Sequence, residues 1–172
     1  MGKFRLDTER LIITEYDESM IESVQKNSLD EDQRRFVPDE MLETMEEARK
    51  TVLWLIDCYN KEGEPQVYPT LLKNGENIGY VQAAPLGDNK WEIGYHIAKN
   101  HTGNGYATEA VKAFLPVIMK RLNISKILGI VDVENIASCT VLEKCGFVLE
   151  YKGVTNNYQG KTCNICRYSY CK

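Results

Sequence analysis

The chain has 172 residues, a formal charge of −4, two histidines and six cysteines, a length that suits one domain spanning 1–172 with a full core. The acidic balance and the absence of a Lys/Arg-rich run exclude a protein that tracks nucleic acid. No stretch approaches the ~20 apolar residues of a membrane span, and the charged start Met1-Gly2-Lys3-Phe4-Arg5-Leu6-Asp7 is unlike a signal peptide, so no membrane role is read and the expected location is cytoplasmic.

A first strand is expected over Arg10-Leu11-Ile12-Ile13-Thr14, then a helix opening at Asp17-Glu18-Ser19-Met20 with acidic residues in its first turn. Residues 30–40 are polar and read as irregular. Thr44, with Glu47 three residues on, forms a capping-box pattern for a helix that carries Ala48, Val52, Leu55 and Tyr59 down one side and ends near Gly63. Eight carboxylates crowd the stretch from Asp30 to Glu47, Asp39 and Glu40 among them. They read first as a solvated helix face, with a negative lip for a cationic substrate as the alternative. Val67 to Leu72, Ile78 to Ala84 and Trp91 to Ala98 form an antiparallel meander with turns at Asn74-Gly75 and Gly87-Asp88-Asn89.

The stretch Asn100-His101-Thr102-Gly103-Asn104-Gly105-Tyr106-Ala107-Thr108-Glu109-Ala110 leads out of the meander into a helix. Asn-Gly alone is a hairpin signal, but Val111, Phe114, Ile118 and Leu122 recur beyond it at helical spacing. A turn that ends where a helix begins presents unpaired N–H groups and the positive end of the helix dipole, so it reads as an anion cradle. Gly103 and Gly105 let the backbone close on a phosphate. Thr108 stands where a dinucleotide fingerprint needs its third glycine, and the P-loop pattern is absent.

Pro116, inside the helix, is expected to kink it. Lys126 to Val133 reads as a central strand buried on both faces. Asn135 caps a helix through Lys144 that Gly146 closes, and Phe147 to Tyr151 and Lys161 to Tyr170 are the last two strands. The cysteines read as free thiols, with Cys163 and Cys166 on opposite faces of the last strand, and His96 and His101 are too distant from them for a zinc site.

In the strand that enters the cradle, alternation puts Trp91, Ile93, Tyr95 and Ile97 on one face and Glu92, Gly94 and His96 on the other. Two proton acceptors thus flank a glycine gap, and a ligand held by its phosphates in the cradle can lay its reactive end along Gly94. The plainer alternative is an alternating strand with its polar residues in water. Ser138, one turn before Leu142 on the same helix face, points a hydroxyl toward the same crevice or merely supports the Asn135 cap.

In their order and spacing, five segments resemble the GNAT N-acetyltransferase superfamily over nearly the whole chain. They are Asp7-Thr8-Glu9-Arg10-Leu11, Ile93-Gly94-Tyr95, the run from Gly103 to Ala110, Asn135 with Ser138, and Glu143-Lys144-Cys145-Gly146-Phe147. Within that superfamily they resemble the ribosomal-protein N-terminal acetyltransferases that modify alanine or serine termini. The resemblance implies an α/β fold with a mixed, mostly antiparallel sheet, flanked by helices and splayed between its fourth and fifth strands, with acetyl-coenzyme A in the split. It implies coenzyme contacts at Ile97, Thr102, Gly103, Asn104, Gly105, Tyr106, Ala107, Asn135 and Ser138. Two positions depart from the family: its pyrophosphate motif opens on Arg or Gln where Asn100 stands, and the Tyr that reprotonates the coenzyme thiolate is replaced by Leu142.

Ser138 is the implied substitute acid. The implied chemistry is direct attack of a neutral amine on the thioester, with Glu92, at the strand start, favoured over His96 as base and no metal required. The implied partners are acetyl-CoA and an amine acceptor, foremost a peptide or ribosomal-protein N-terminus. A small polyamine or aminoglycoside-type acceptor and a non-catalytic acyl-CoA-binding module are the alternatives, for a chain that is a monomer or a homodimer. Acceptor choice is expected to lie in the early helices and the last loop.

Overall fold

The computed structural model describes residues 3–156 and 160–172, so part of the last loop lies outside the described residues. Among the described residues eight strands form one sheet: β1 (Arg5–Asp7), β2 (Leu11–Thr14), β3 (Gln66–Leu72), β4 (Asn77–Gly87), β5 (Lys90–Ile97), β6 (Lys126–Asp132), β7 (Val148–Asn156) and β8 (Thr162–Cys171). Their order is β1-β2-β3-β4-β5-β6-β8-β7, and every neighbouring pair is antiparallel except the parallel β5 and β6. β4 and β5 pair from Gly79 with Ile97 to Gly87 with Lys90, whereas β5 and β6 meet only at Glu92 with Leu128. The strands part beyond that pair. This is the expected splay, and its strands number β5 and β6 because the short β1 precedes the first strand read from the sequence.

The helices are α1 (Ile21–Ser28), α2 (Glu31–Phe36), α3 (Met45–Cys58), α4 (Tyr106–Arg121) and α5 (Ile136–Lys144). α1 and α3 pack together over β4 and β3 on the Glu92 face, while α4 lies against β2, β4 and β5, and α5 against β6, on the other. α5 comes so close to β6 that a Cβ at Gly129 would meet Leu142 Cδ1 at 2.8 Å. Leu142 is fully buried there, so the residue at the family's tyrosine position is part of the core. The turns into α4 and α5 follow the C-terminal ends of β5 and β6, which sets both helix N-termini at the mouth of the split.

Residues 30–40, read as irregular, hold α2 and a 3-10 turn at Pro38–Glu40. The Asp30 side chain accepts from the Asp32 N–H at 3.2 Å, and acids in the first turn with Arg34 and Arg35 in the last suit the helix dipole. α4 runs unbroken through Pro116. Pro116 and Lys112, whose carbonyl loses its helical donor to the proline, are both exposed, so the missing bond falls on the solvent side of the helix. β6 is central as expected but not buried on both faces, because Leu128 and Ile130 border the split and remain part-exposed. The cysteines are free thiols, with Cys166 buried and Cys163 part-exposed.

Candidate active site

The cradle begins with two glycines in the left-handed region, Gly103 at φ 79° and Gly105 at φ 78°, which β-branched or bulky residues adopt only under strain. Gly105 is the N-cap of α4, and no side chain caps that helix. At α5, by contrast, Asn135 Oδ1 accepts from the Ser138 N–H at 3.1 Å. The N-terminus of α5 is therefore served from within the chain, and that of α4 is left for an anion. A Cβ at Gly103 would touch nothing within 4 Å, so the approach is open. These features fit the pyrophosphate of a coenzyme.

Sequence reasoning missed what holds the cradle from behind. Arg10 donates through its guanidinium to the Asn104 carbonyl at 2.8 Å and to Glu109 at 2.7 Å, and its backbone N–H donates to Glu109 at 2.9 Å. Thr8 Oγ1 donates to the same carboxylate at 2.6 Å, and the Arg10 guanidinium lies 4.7 Å from the centre of the Tyr106 ring. Burial pushes the Glu109 carboxyl up, but Thr8 and Arg10 outweigh it and hold the group below the usual carboxylate range. Within the loop, Asn104 Nδ2 donates to the carbonyls of His101 and Thr102, and Thr102 Oγ1 to that of Lys99. The signal was present in Thr8-Glu9-Arg10 and in Thr108-Glu109, but the pairing spans 99 residues.

On β5 the expected alternation holds: Trp91, Ile93 and Ile97 are buried on the α4 side, and Glu92 and His96 share the other face. Glu92 sits at the single point where β5 and β6 pair. Burial pushes its carboxyl up to about 7; a hydrogen bond from the Ile130 backbone opposes this and the Glu40 carboxylate adds to it. His96 is also shielded, with its side chain 11% exposed and Nε2 3.9 Å from Asp30 Oδ2, beyond hydrogen-bond reach. Burial lowers its pKa despite Asp30 and Asp32, and its Nε2 has no hydrogen-bond partner among the described residues. Glu92 and His96 lie about 13 Å apart along the strand at ~3.3 Å per residue.

Ser138 lies in the first turn of α5, across the split from β5, and is partly buried. The structure ties it to β5 by a bond the sequence did not suggest: the Tyr95 hydroxyl donates to the Ser138 carbonyl at 2.8 Å. Burial holds that phenol protonated, above the usual tyrosine range.

A cavity of about 420 Å³ opens on the Glu92 face, between β3, β4 and β5 and the helices α1 to α3. Val24, Leu42, Trp54 and Leu55 give it apolar walls, and Gln33, Glu40, Tyr80, Gln82 and His96 are its main polar groups. Most of the carboxylates from Asp30 to Glu47 are engaged elsewhere. Asp30 caps α2, Glu31 pairs with Lys99, Glu43 with Arg34 and Glu46 with Lys50, and Glu47 closes the capping box with Thr44. Glu40 is different: it accepts from Tyr80 Oη and, at 3.1 Å, from Gln33 Nε2, and it lines the cavity with Asp39. Burial and Glu40 together keep the Tyr80 phenol protonated, well above its usual range. Among the described residues, no Lys or Arg lines this cavity.

A parted parallel pair in a mixed sheet with an uncapped helix N-terminus at its mouth can hold a phosphate-bearing ligand, and a carboxyl raised to about 7 lies where the two strands meet. Residues 10–148 match the acetyltransferase (GNAT) domain family, and the chain belongs to it: it is an acetyl-CoA-dependent N-acetyltransferase. A relative, the uncharacterized N-acetyltransferase YnaD of Bacillus subtilis (strain 168), is 28% identical over 143 residues, covering 82% of this chain and 81% of YnaD. Two solved structures share the fold. One is the acetyl transferase of Salmonella typhimurium that modifies the N-terminal serine of 50S ribosomal subunit protein L7/L12, with a TM-score of 0.83 and 20% identity, covering 98% of this chain and 99% of that one. The other is the spermidine N-acetyltransferase of Vibrio cholerae in complex with CoA and spermine, with a TM-score of 0.79 and 19% identity, covering 95% and 96%.

Proposed function

We propose that the chain acetylates the α-amino group of a peptide or protein N-terminus. Acetyl-CoA enters the split with its pyrophosphate on the Thr102 to Ala107 turn and its thioester along β5 beside Ile97 and Gly94. Asn135 and Ser138 border it from α5. The acceptor enters from the cavity side. Glu92 takes the proton from the ammonium, directly or through one water, and the neutral amine attacks the thioester carbonyl. The tetrahedral intermediate then expels the coenzyme thiolate; Ser138 gives it a proton and recovers one, through water, from the nitrogen, which sheds its second proton as the amide forms.

The observation that supports this reading is the Glu92 carboxyl, shielded at the one pair between β5 and β6 and pushed up to about 7 by burial. Passing a proton to it from an α-ammonium near ~8 is uphill by roughly 1.4 kcal/mol, against about 4.6 kcal/mol from an alkyl ammonium near ~10.4. The difference of about 3 kcal/mol belongs to the two amines and would hold at any base; the raised Glu92 carboxyl lowers both costs equally and leaves only a small one for an α-amine. His96 is buried at the far end of the shared face, away from the β5–β6 contact, which favours Glu92. A small polycation is the second reading, favoured by Glu40 and Asp39 in a cavity with no Lys or Arg among the described residues that line it. Free-thiol release with Ala- and Ser-initiated peptides, the same peptides N-acetylated, and spermidine separates the two. Turnover with free termini and none with blocked ones is expected; spermidine as the better substrate would overturn the proposal.

A further inference from the structure

We propose that Gln82 reads the first carbonyl group of the acceptor, so that this site selects α-aminoacyl compounds, meaning peptide termini and amino-acid amides, over plain alkyl amines. The inference rests on the α-amine reading above and adds the residue that enforces it.

Gln82 on β4 pairs with Gly94 on β5. A Cβ at Gly94 would lie 2.6 Å from Gln82 Nε2, 2.8 Å from Cγ and 3.1 Å from Cδ, so the side chain lies flat over the glycine. The gap between Glu92 and His96 is therefore roofed by a carboxamide. That carboxamide is partly buried, lines the cavity, and makes no hydrogen bond to any described residue. Of its polar neighbours in the wall, Gln33 Nε2 and Tyr80 Oη donate to Glu40 and Asn27 donates to the Asn77 carbonyl, whereas Gln33 Oε1 and His96 Nε2 have no partner among the described residues. Gln82 thus offers a donor and an acceptor side by side, with no partner among the described residues, diagonally across the β4–β5 ladder from Glu92.

The amine nitrogen and carbonyl oxygen of an N–Cα–C=O unit lie roughly 3 Å apart by standard backbone dimensions. A carboxamide can meet both, accepting from the amine through Oε1 and donating to the carbonyl through Nε2. An alkyl amine leaves the Nε2 donor unmet in a part-buried wall, which is how polar sites reject analogues that lack a partner group. Gly94 follows from this arrangement, since any side chain there would displace the carboxamide.

The test compares L-alaninamide with isopropylamine, with rates referred to the unprotonated amine, for the parent, Gln82→Met and Gln82→Glu. Methionine keeps the length and packing without the amide, and glutamate keeps the acceptor without the donor. The parent is expected to prefer alaninamide, and in both variants the ratio of kcat/KM for the two amines is expected to fall about tenfold, through KM for alaninamide, as for the loss of one buried hydrogen bond. A normal acetyl-CoA-induced rise in melting temperature establishes that each variant is folded. If the parent prefers alaninamide and the variants keep that preference, the Gln82 assignment is wrong and the α-amine reading stands. If the parent prefers isopropylamine, the α-amine reading fails and takes the Gln82 assignment with it.

Discussion

Glu92 should cost the fold stability at the pH where it works. Its carboxyl is pushed from an ordinary 4.5 to about 7. Because the folded pKa is raised, the folded state holds the proton more tightly than the unfolded chain does, and stability falls as pH rises through the window from 4.5 to 7. At ~1.36 kcal/mol per unit, the full penalty above that window is roughly 3 kcal/mol. Glu92→Gln keeps the shape and an acceptor for the Ile130 N–H but cannot ionise. It should therefore be more stable than the parent by roughly 3 kcal/mol at pH 8 and by only about 1 kcal/mol at pH 5. For a chain of this size the pH 8 gain is a rise in Tm on the order of 10 °C. Urea unfolding at the two pH values measures this directly. The same variant should lose the limb of the kcat/KM profile that rises through pH 7, while coenzyme binding holds. A variant no more stable than the parent at pH 8 would mean that Glu92 is not desolvated, and the reasoning that makes it the base would fall with it.

Gly105→Val forces a β-branched residue to φ 78°, a strain of ~1–2 kcal/mol, and should weaken acetyl-CoA binding by calorimetry while the chain still folds; normal binding would move the pyrophosphate elsewhere. Arg10→Ala removes the brace on the Asn104 carbonyl and Glu109 and should raise the coenzyme Kd by about tenfold, the worth of one charge-assisted bond. Ser138→Ala should lower kcat by ~10²-fold if the hydroxyl is the acid, with acetyl-CoA affinity nearly unchanged; an unchanged kcat where chemistry limits the rate assigns thiolate protonation to solvent. Asn135→Ala removes the cap of α5 and should cost ~1 kcal/mol of stability, read as a small fall in Tm with and without coenzyme.

What could be read from the sequence was what the chain settles within a few residues. The Thr44 and Glu47 capping box, the left-handed glycines of the cradle and the alternation along β5 all close over short spans, and the structure shows each of them. The short α2 escaped because its six residues carry little apolar periodicity; caps and charges make it helical. The brace between Arg10 and Glu109 and the bond from Tyr95 to Ser138 escaped because tertiary packing alone brings their partners together.

Gln82 marks the boundary between the two kinds of feature. A turn at Gly87-Asp88-Asn89 was legible, and the structure closes it as a tight hairpin, with Asp88 and Asn89 at φ of 49° and 56°, that pairs Gly87 with Lys90. Continued without interruption, that register sets Ala83 opposite Gly94 and leaves nothing to roof the glycine. The structure instead pairs Pro85 with Trp91, leaving Leu86 as an extra residue on β4. Pro85 has no N–H to give the ladder, so a bulge beside it comes at little loss. Since a slip of one residue turns every side chain to the other face, this bulge turns Ala83 into the core and lays Gln82 over Gly94, diagonally across from Glu92. Acceptor recognition at the site therefore depends on an irregularity in a hairpin whose own turn lies well outside it, and deleting Leu86 should disturb both the core and acceptor choice.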